Sequence, residues 1–367
     1  MVPRVIPAEV LTVAETAPGE DSVWVLSRRA LREKLDALRA GGFDRVWFAA
    51  KACPLPALVS EVIRAGAGIL MTSAPEAKQF RQFLDAGHPW GFAVLDEGRL
   101  RDLRWVRARS MPHWISVGDA AGAALQPTGA AEQAARSPPA LLLRIRPPPD
   151  VRSVCGTYGF IRKTLHAVLR NGPSEGIHLH IGSNKTGVRP YLRFLEYARD
   201  CWDGVTGGES EPTVVNLGGG FSAGFSHMAE LGNRARALFP RVQLWVEPGR
   251  YLAQQTLYYA VRGSVDGAEI HTSAELPVSA ESTRNAPLLR GLLLTDSGKW
   301  TPLTAQVVGR GAATIVRMER LARTGIGGRP DSADTRGARG RARGPATLLF
   351  YDCSAYHHLP SVRTALA

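Results

Sequence analysis

Along the chain, apolar positions switch between two periods, and the order of the switches predicts a fold. From Ser27 the segment RRALREKLDALRAGG repeats its apolar residues at helical spacing and ends on a glycine pair, and the short apolar run RVWFAA follows at once. The exchange recurs. PALVSEVIRAG leads to GILMTS, EAKQFRQFLDAG leads to GFAVLD, and PHWISVG and ALLLRIR again read as buried strands. It continues through FIRKTLHAVLRNG, IHLHIGS, YLRFLEYARDCWDG, TVVNLGGG, a helix around Met228 to Leu238, and VQLWVEPGRY. About eight strand–helix units fit between residues 27 and 260, the number that closes a parallel (β/α)8 barrel of the TIM type. An open doubly wound sheet is the other solution for such a rhythm. After Gln254, strands follow one another without helices (TLYYAVRGSV, RGLLLTD, AQVVGR, ATLLFYD). They predict a separate β-rich domain, formed by residues 261–367 with 1–26.

A chain of 367 residues is long enough for such a barrel and a second module. Its 44% apolar content with ordinary charge marks a globular protein that buries a sizeable core. The formal charge of +12 suits an anionic ligand, but six of the arginines fall in one Gly-rich stretch, Arg323 to Gly344, where no apolar period exists. That stretch reads as a solvated basic loop, with contact to RNA or a membrane surface as the rival reading. Cys53, Cys155, Cys201 and Cys353 are too widely spaced for a zinc knuckle or a redox pair, which points to a reducing compartment. No apolar run reaches the length of a membrane span, and no signal-peptide pattern opens the chain. A cytoplasmic location is expected, with no membrane and no nucleic-acid partner.

Three strand ends carry candidate chemistry. Lys51 follows the apolar strand ending at Ala50, at the C-terminal mouth where barrel active sites form. Desolvation there favours a neutral amine able to form a Schiff base with an aldehyde cofactor, although a lysine after a strand is more often a surface cap. Asn216-Leu217 is followed by Gly218, Gly219 and Gly220, whose missing Cβ atoms let backbone N–H groups approach a phosphate. A tight turn is the bland alternative, and the spacing misses the dinucleotide fingerprint. Glu247 ends the strand VQLWV and can pair with a protonated pyridine nitrogen, with Arg250 nearby for phosphate or for Glu247 itself. His178 and His180 share one face of a strand by period two. No third ligand with matching context accompanies them, so no metal is expected; His180 is free to stack over a ring and Ser183 to reach a phosphate.

Taken in order, AxKAC, TSxxE, HxHIGS, GGGF, EPGRY and a late YDCSAY resemble the fold-III pyridoxal-phosphate decarboxylases acting on ornithine, lysine, arginine or diaminopimelate, with an alanine-racemase-like barrel. The resemblance spans most of residues 25 to 356. It implies pyridoxal 5'-phosphate as cofactor, with Lys51 carrying it, His180 stacking on its ring and Glu247 facing the ring nitrogen. It also implies that Gly218 to Gly220, Ser183, Arg250 and Tyr356 hold the phosphate and that Arg144 lies beneath the cofactor. Asp296 is implied to contact the distal amine of the substrate. The implied activity is decarboxylation of an amino acid or an amino-acid-derived carboxylate by a homodimer. The rivals are a racemase or other α-carbanion chemistry on the same scaffold, and a non-catalytic homologue that binds the cofactor. Departures are concrete. Ala312 and Val316 stand where the family supplies a cysteine and an acid to the neighbouring subunit's site, Leu70 replaces an acid before TS, and Thr157-Tyr158-Gly159 replaces a basic-aromatic-glycine turn.

Overall fold

The computed structural model describes residues 6–16, 22–94, 100–107, 112–123, 139–151, 158–171, 174–208, 210–266, 269–273, 278–279, 288–294, 299–309, 314–321, 343–351, 357–358 and 364–366. It divides into two compact units, residues 32–252 and residues 1–31 with 253–367. The boundary read from the sequence at residue 260 falls inside one continuous strand, Leu257–Asp266, which belongs wholly to the second unit.

The first unit is a closed parallel barrel. After β1 (Ser22–Leu26), which belongs to the other unit, its strands are β2 (Arg45–Ala49), β3 (Gly68–Met71), β4 (Trp90–Ala93), β5 (Trp114–Val117), β6 (Ala140–Ile145), β7 (Gly176–Leu179), β8 (Val214–Asn216) and β9 (Gln243–Val246). Each pairs with the next, and β2 closes on β9 through Arg45 opposite Trp245 and Val46 opposite Trp245's neighbour Val246. The open doubly wound alternative is excluded by that closure. These strands are short and almost wholly buried, because helices cover the outside and side chains fill the inside.

The filling is aromatic. Trp47, Trp114 and Trp245 meet at ring-centroid distances of 5.4 to 6.0 Å, packed with Ala49, Leu70, Ala93, Leu142 and Val214. Room for the indoles comes from glycines on adjacent strands: a Cβ on Gly91 would lie 2.0 Å from the Trp114 ring, and one on Gly68 2.3 Å from the Trp47 ring. Burying one such ring removes roughly 150–250 Å² from water, worth about 4–6 kcal/mol before entropy is counted.

Elements on the outside follow the predicted periods, with one break. The single helix expected over EAKQFRQFLDAG is two, Ala74–Gln79 and Arg81–Asp85, separated at Phe80, whose fully buried ring anchors the joint. The first begins on a formed N-cap: Ser73 Oγ accepts from Glu76 N, while the Glu76 carboxylate accepts from Thr72 N and Oγ1 and from Ser73 Oγ.

The second unit holds an eight-stranded sheet. Its strands are β1, β10 (Leu257–Asp266), β11 (Glu269–Thr272), β13 (Leu288–Leu294), β14 (Trp300–Gly309), β15 (Thr314–Leu321), β16 (Arg343–Phe350) and β18 (Thr364–Leu366), in the order β11-β15-β14-β13-β16-β10-β1-β18. A two-stranded pair joins β12 (Val278–Ser279) to β17 (His357–His358). The expected pairing of the N-terminal residues with this domain is met by β1, which runs antiparallel to β10 with Ser22 opposite Val261. A helix over Ala8–Thr16 was not foreseen; its Val10 and Ala14 pack with Val23, Val25, Tyr258, Ala260 and Leu349. The basic stretch from 323 lies outside the described residues up to 342, and its last two residues, Arg343 and Gly344, open β16 rather than extending a loop. Val316 sits in β15, opposite Ile270 and Val307, while Ala312 lies outside the described residues.

Candidate active site

The C-terminal ends of β2, β6, β7, β8 and β9 gather the ionisable residues of the barrel. Lys51 lies in a single 3-10 turn, Ala50–Ala52, that ends β2 and leaves the lysine half-buried between two buried alanines. Glu247 directly follows β9 and is 3% exposed. Its Oε1 accepts from Asn216 Nδ2 at 2.8 Å, and the other end of the same amide accepts from Gly218 N at 2.9 Å, which fixes which way the amide points. His178 Nε2 stands 3.3 Å from the same Oε1 without the alignment of a hydrogen bond. Burial pushes the Glu247 carboxyl up, but the His178 imidazole, the Asn216 amide and the Arg144 guanidinium outweigh it, so the group is held ionised below its ordinary range.

His180 follows β7 directly. Its Nδ1 accepts from Gly219 N at 3.3 Å, which places the ring proton of the neutral form on Nε2. Burial, with the charges of Arg144 and Lys51, holds its pKa well below the usual histidine value, so the ring is neutral at physiological pH. Arg144, on β6, is 2% exposed, lies 5.7 Å from the Tyr158 ring, and its Nε has no hydrogen-bond partner among the described residues. Ser183 is exposed and Arg250, opening a short turn of helix after β9, is half-buried.

The glycines act differently from the sequence reading. Gly218 N–H goes to Asn216 and Gly219 N–H to His180, so two of the three donors expected for an anion are used inside the loop. No helix starts at the cradle either: the next begins at Met228, and Gly220 is instead tied to Lys185 N through its carbonyl. What the glycines provide is close approach. A Cβ on Gly218 would meet Leu179 O at 2.2 Å, on Gly219 Glu247 O at 2.4 Å, and on Gly220 Gly182 O at 2.3 Å. The loop after β8 is thereby pressed against the loops after β7 and β9, with Tyr191 Oη donating to Gly219 O at 3.0 Å and its ring stacked on Phe221 at 4.9 Å.

The third ligand not visible in the sequence is Glu247: with His178 and His180 it offers three ligand atoms within 4.8 Å of one another. Two fixed cations, Arg144 and Lys51, act on this cluster, as their effect on His180 shows, and they oppose a metal ion there. Of the residues expected at the site, the barrel brings together Lys51, Arg144, His180, Glu247 and the three glycines, with Ser183 and Arg250 on the adjoining turns. Asp296 and Tyr356 lie outside the described residues. Sequence reasoning left Asn216, Ser116 and the inner histidine, His178, without roles. Period-two spacing from Trp114 and from His180 was the available signal for the last two.

A barrel mouth with a half-buried lysine, a carboxylate held ionised and a neutral histidine defines an active-site class before any comparison is made. Residues 173–254 match the family model described as "Pyridoxal-dependent decarboxylase, pyridoxal binding domain". The chloroplastic ornithine decarboxylase of Nicotiana glauca is 30% identical over 129 residues, covering 31% of this chain and 30% of that protein. The chain thus aligns with less than a third of the length of this curated relative. Among solved structures, the arginine decarboxylase of Paramecium bursaria Chlorella virus bound to agmatine has a TM-score of 0.68 at 16% identity, covering 98% of this chain and 100% of that one. The lysine/ornithine decarboxylase of Vibrio vulnificus complexed with putrescine has a TM-score of 0.65 at 16% identity, covering 99% of both chains. Over residues 173–254 the chain is therefore similar to the pyridoxal-binding domain of those decarboxylases, and its fold is similar to theirs along nearly the whole chain. The residues fit the cofactor. An ionised buried carboxylate suits a ring nitrogen, a neutral imidazole suits a ring face, and a buried guanidinium with an unmatched Nε suits an anionic oxygen. Among the described residues, no helix is long and apolar enough to cross a membrane.

Proposed function

We propose that the protein is a pyridoxal-phosphate-dependent carboxy-lyase acting on an amino acid or amino-acid-derived carboxylate of the ornithine, lysine or diaminopimelate class. One observation carries the reading. Glu247, 3% exposed and held ionised, shares a barrel mouth with Lys51 and His180. When bound, the cofactor supplies an electron-withdrawing ring that takes up the electron pair released as carbon dioxide leaves.

Each side chain has a defined task. Lys51 would hold the cofactor through its side-chain amine. Glu247 would hold a proton on the ring nitrogen, because an ionised carboxylate in a dry barrel stabilises a cation facing it. His180, held neutral, would pack against the ring without adding a charge that opposes that cation. Arg144 offers its buried guanidinium to an oxygen of the cofactor.

Substrates with two amines are favoured by the names of the relatives, which act on ornithine, arginine or lysine. A homodimer is part of the same proposal, as is a reducing, cytoplasmic setting in which the buried Cys53 and Cys201 stay as thiols. The test is direct. The purified protein should show the visible absorbance of bound cofactor, and borohydride reduction followed by peptide mass analysis should fix the cofactor to Lys51. Amino acids are then screened for released carbon dioxide, with chiral analysis of recovered substrate and sedimentation for the dimer. Lys51→Ala retaining both absorbance and turnover would overturn the assignment, and stereoinversion without carbon dioxide would move the protein to the racemases.

A further inference from the structure

We infer that His178 is a positioning residue for Glu247, with Ser116 setting its tautomer so that a ring N–H faces the carboxylate. The inference rests on Glu247 being the partner of the cofactor's ring nitrogen, and it concerns three residues of the barrel interior. Ser116 on β5, His178 on β7 and Glu247 after β9 are 0%, 1% and 3% exposed. They form one line across the barrel: Ser116 Oγ lies 2.6 Å from His178 Nδ1, and His178 Nε2 lies 3.3 Å from Glu247 Oε1.

The tautomer follows from what each end can accept. An ionised carboxylate is an acceptor only, so a bare nitrogen lone pair set 3.3 Å from it, away from water, is repelled. Nε2 therefore carries a proton. In the neutral ring Nδ1 is then the acceptor, and a serine hydroxyl can rotate to donate to it at the short distance seen. A Ser116 hydroxyl donating to Nδ1 holds that nitrogen as an acceptor and so favours the proton on Nε2, whereas an apolar residue there would leave Nδ1 without a donor and weaken that preference.

The contact also has a direction in function. Asn216 Nδ2 and His178 Nε2 both address Oε1, and the second oxygen of Glu247 makes no hydrogen bond to any described residue. The Asn216 donor and the facing His178 nitrogen hold that oxygen, which leaves the other for an N–H brought by a ligand. Trp114, 6.3 Å from His178 ring to ring, closes the barrel next to the imidazole, so no bulk water competes for Nε2. The partners of His178 are side chains of the barrel, Ser116, Glu247, Trp114 and His180. His178 acts through Glu247.

The test separates this role from simple filling of space. In the cofactor-free full-length protein labelled with 15N-histidine, long-range N–H correlation spectra should show His178 protonated on Nε2, and Ser116→Ala should yield a mixture of tautomers. In the loaded protein, His178→Leu should lower kcat by about 10-fold or more with KM within about twofold. It should also shift the pH dependence of the cofactor's visible absorbance, the sign of a ring nitrogen losing its proton. His178→Gln, which restores an N–H at that depth, should recover most of both. Gln and Leu variants that match each other in spectrum and kcat, or an Nε2 found unprotonated, would overturn the inference. Should His178→Leu not fold, Ser116→Ala carries the test, since it leaves the imidazole in place and must move the spectrum in the same sense. A wild-type protein that binds no cofactor while His178 keeps its Nε2–H refutes the proposed function and not the tautomer.

Discussion

Replacing Gly219 by alanine adds one methyl group at the point where the loops after β8 and β9 touch, and its consequence can be worked from the geometry. The added Cβ would stand 2.4 Å from the Glu247 carbonyl oxygen, a backbone atom that cannot rotate away. Real Cβ contacts begin near 3.0 Å, so the two segments must separate by at least the difference, 3.0 − 2.4 = 0.6 Å. Sites of this kind tolerate displacements of about 0.5 Å before function suffers. Overpacking of this sort costs about 1–3 kcal/mol of stability, while misplacement near 1 Å costs on the order of 100-fold in rate. Gly219→Ala should therefore fold, melt a few degrees lower, and lose about 10- to 100-fold in kcat/KM. Thermal denaturation, titration of the cofactor by visible absorbance and turnover measure the three effects. The control is Gly224→Ala, where an added Cβ meets nothing within 4 Å and should change none of them. A Gly219→Ala protein with unchanged cofactor affinity and unchanged turnover would refute the claim that the glycines serve to seat Glu247.

Other expectations follow from burial and charge. Trp114→Ala empties a fully buried position and should cost about 3–5 kcal/mol, read as a melting temperature lowered by roughly 6–20 °C; a drop below about 3 °C would mean that the aromatic layer does not hold the barrel. For pH, His180 and Glu247 both have folded-state pKa values below their ordinary 6.5 and 4.5, so the unfolded chain binds more protons and stability rises with pH. Their contribution is whole above those values and is lost as pH falls: melting temperature should decline below pH 6.5, and His180→Asn should flatten the decline between 6.5 and 4.5. Burial pushes the Cys53 thiol up to about 12, so peptide-level alkylation should find it unmodified in the native protein and modified only after unfolding, despite its place two residues from Lys51.

The barrel was legible because its strands and helices announce themselves by period: six of the eight strands fall within the apolar run that predicted them, and β4 and β7 each start one residue earlier. Motif order made Lys51, Arg144, His180, the glycines and Glu247 visible together. What the sequence hid was of two kinds. Local features with weak signals were missed: the helix Ala8–Thr16 is short, and the strands Glu269–Thr272 and Thr314–Leu321 carry charges that blur their alternation. Relations across the barrel were hidden for a deeper reason. Nothing in IHLHIGS or PHWISVG reveals that Ser116 and His178 lie within hydrogen-bonding reach, because 62 residues separate them and only closure of the sheet makes them neighbours. The glycine loop was read correctly as special and incompletely as to cause, since its N–H groups go to Asn216, two residues before it, and to His180, which only the fold brings beside it.

The departures from the family acquire a physical sense inside this barrel. The position before TS, acidic in the family, is Leu70 here, and it packs 3% exposed in the tryptophan layer. A carboxylate placed among three indoles would have no partner to offset its desolvation. With leucine there, the barrel interior sets a buried carboxylate, Glu247, against a buried guanidinium, Arg144, beside the imidazoles of His178 and His180, the second of which is held neutral. The ionised state of Glu247 rests on its neighbours His178, Asn216 and Arg144 together. An imidazole is the residue to expect opposite a lone carboxylate, since it donates a hydrogen bond without bringing the fixed charge that a lysine or arginine would add beside Arg144 and Lys51.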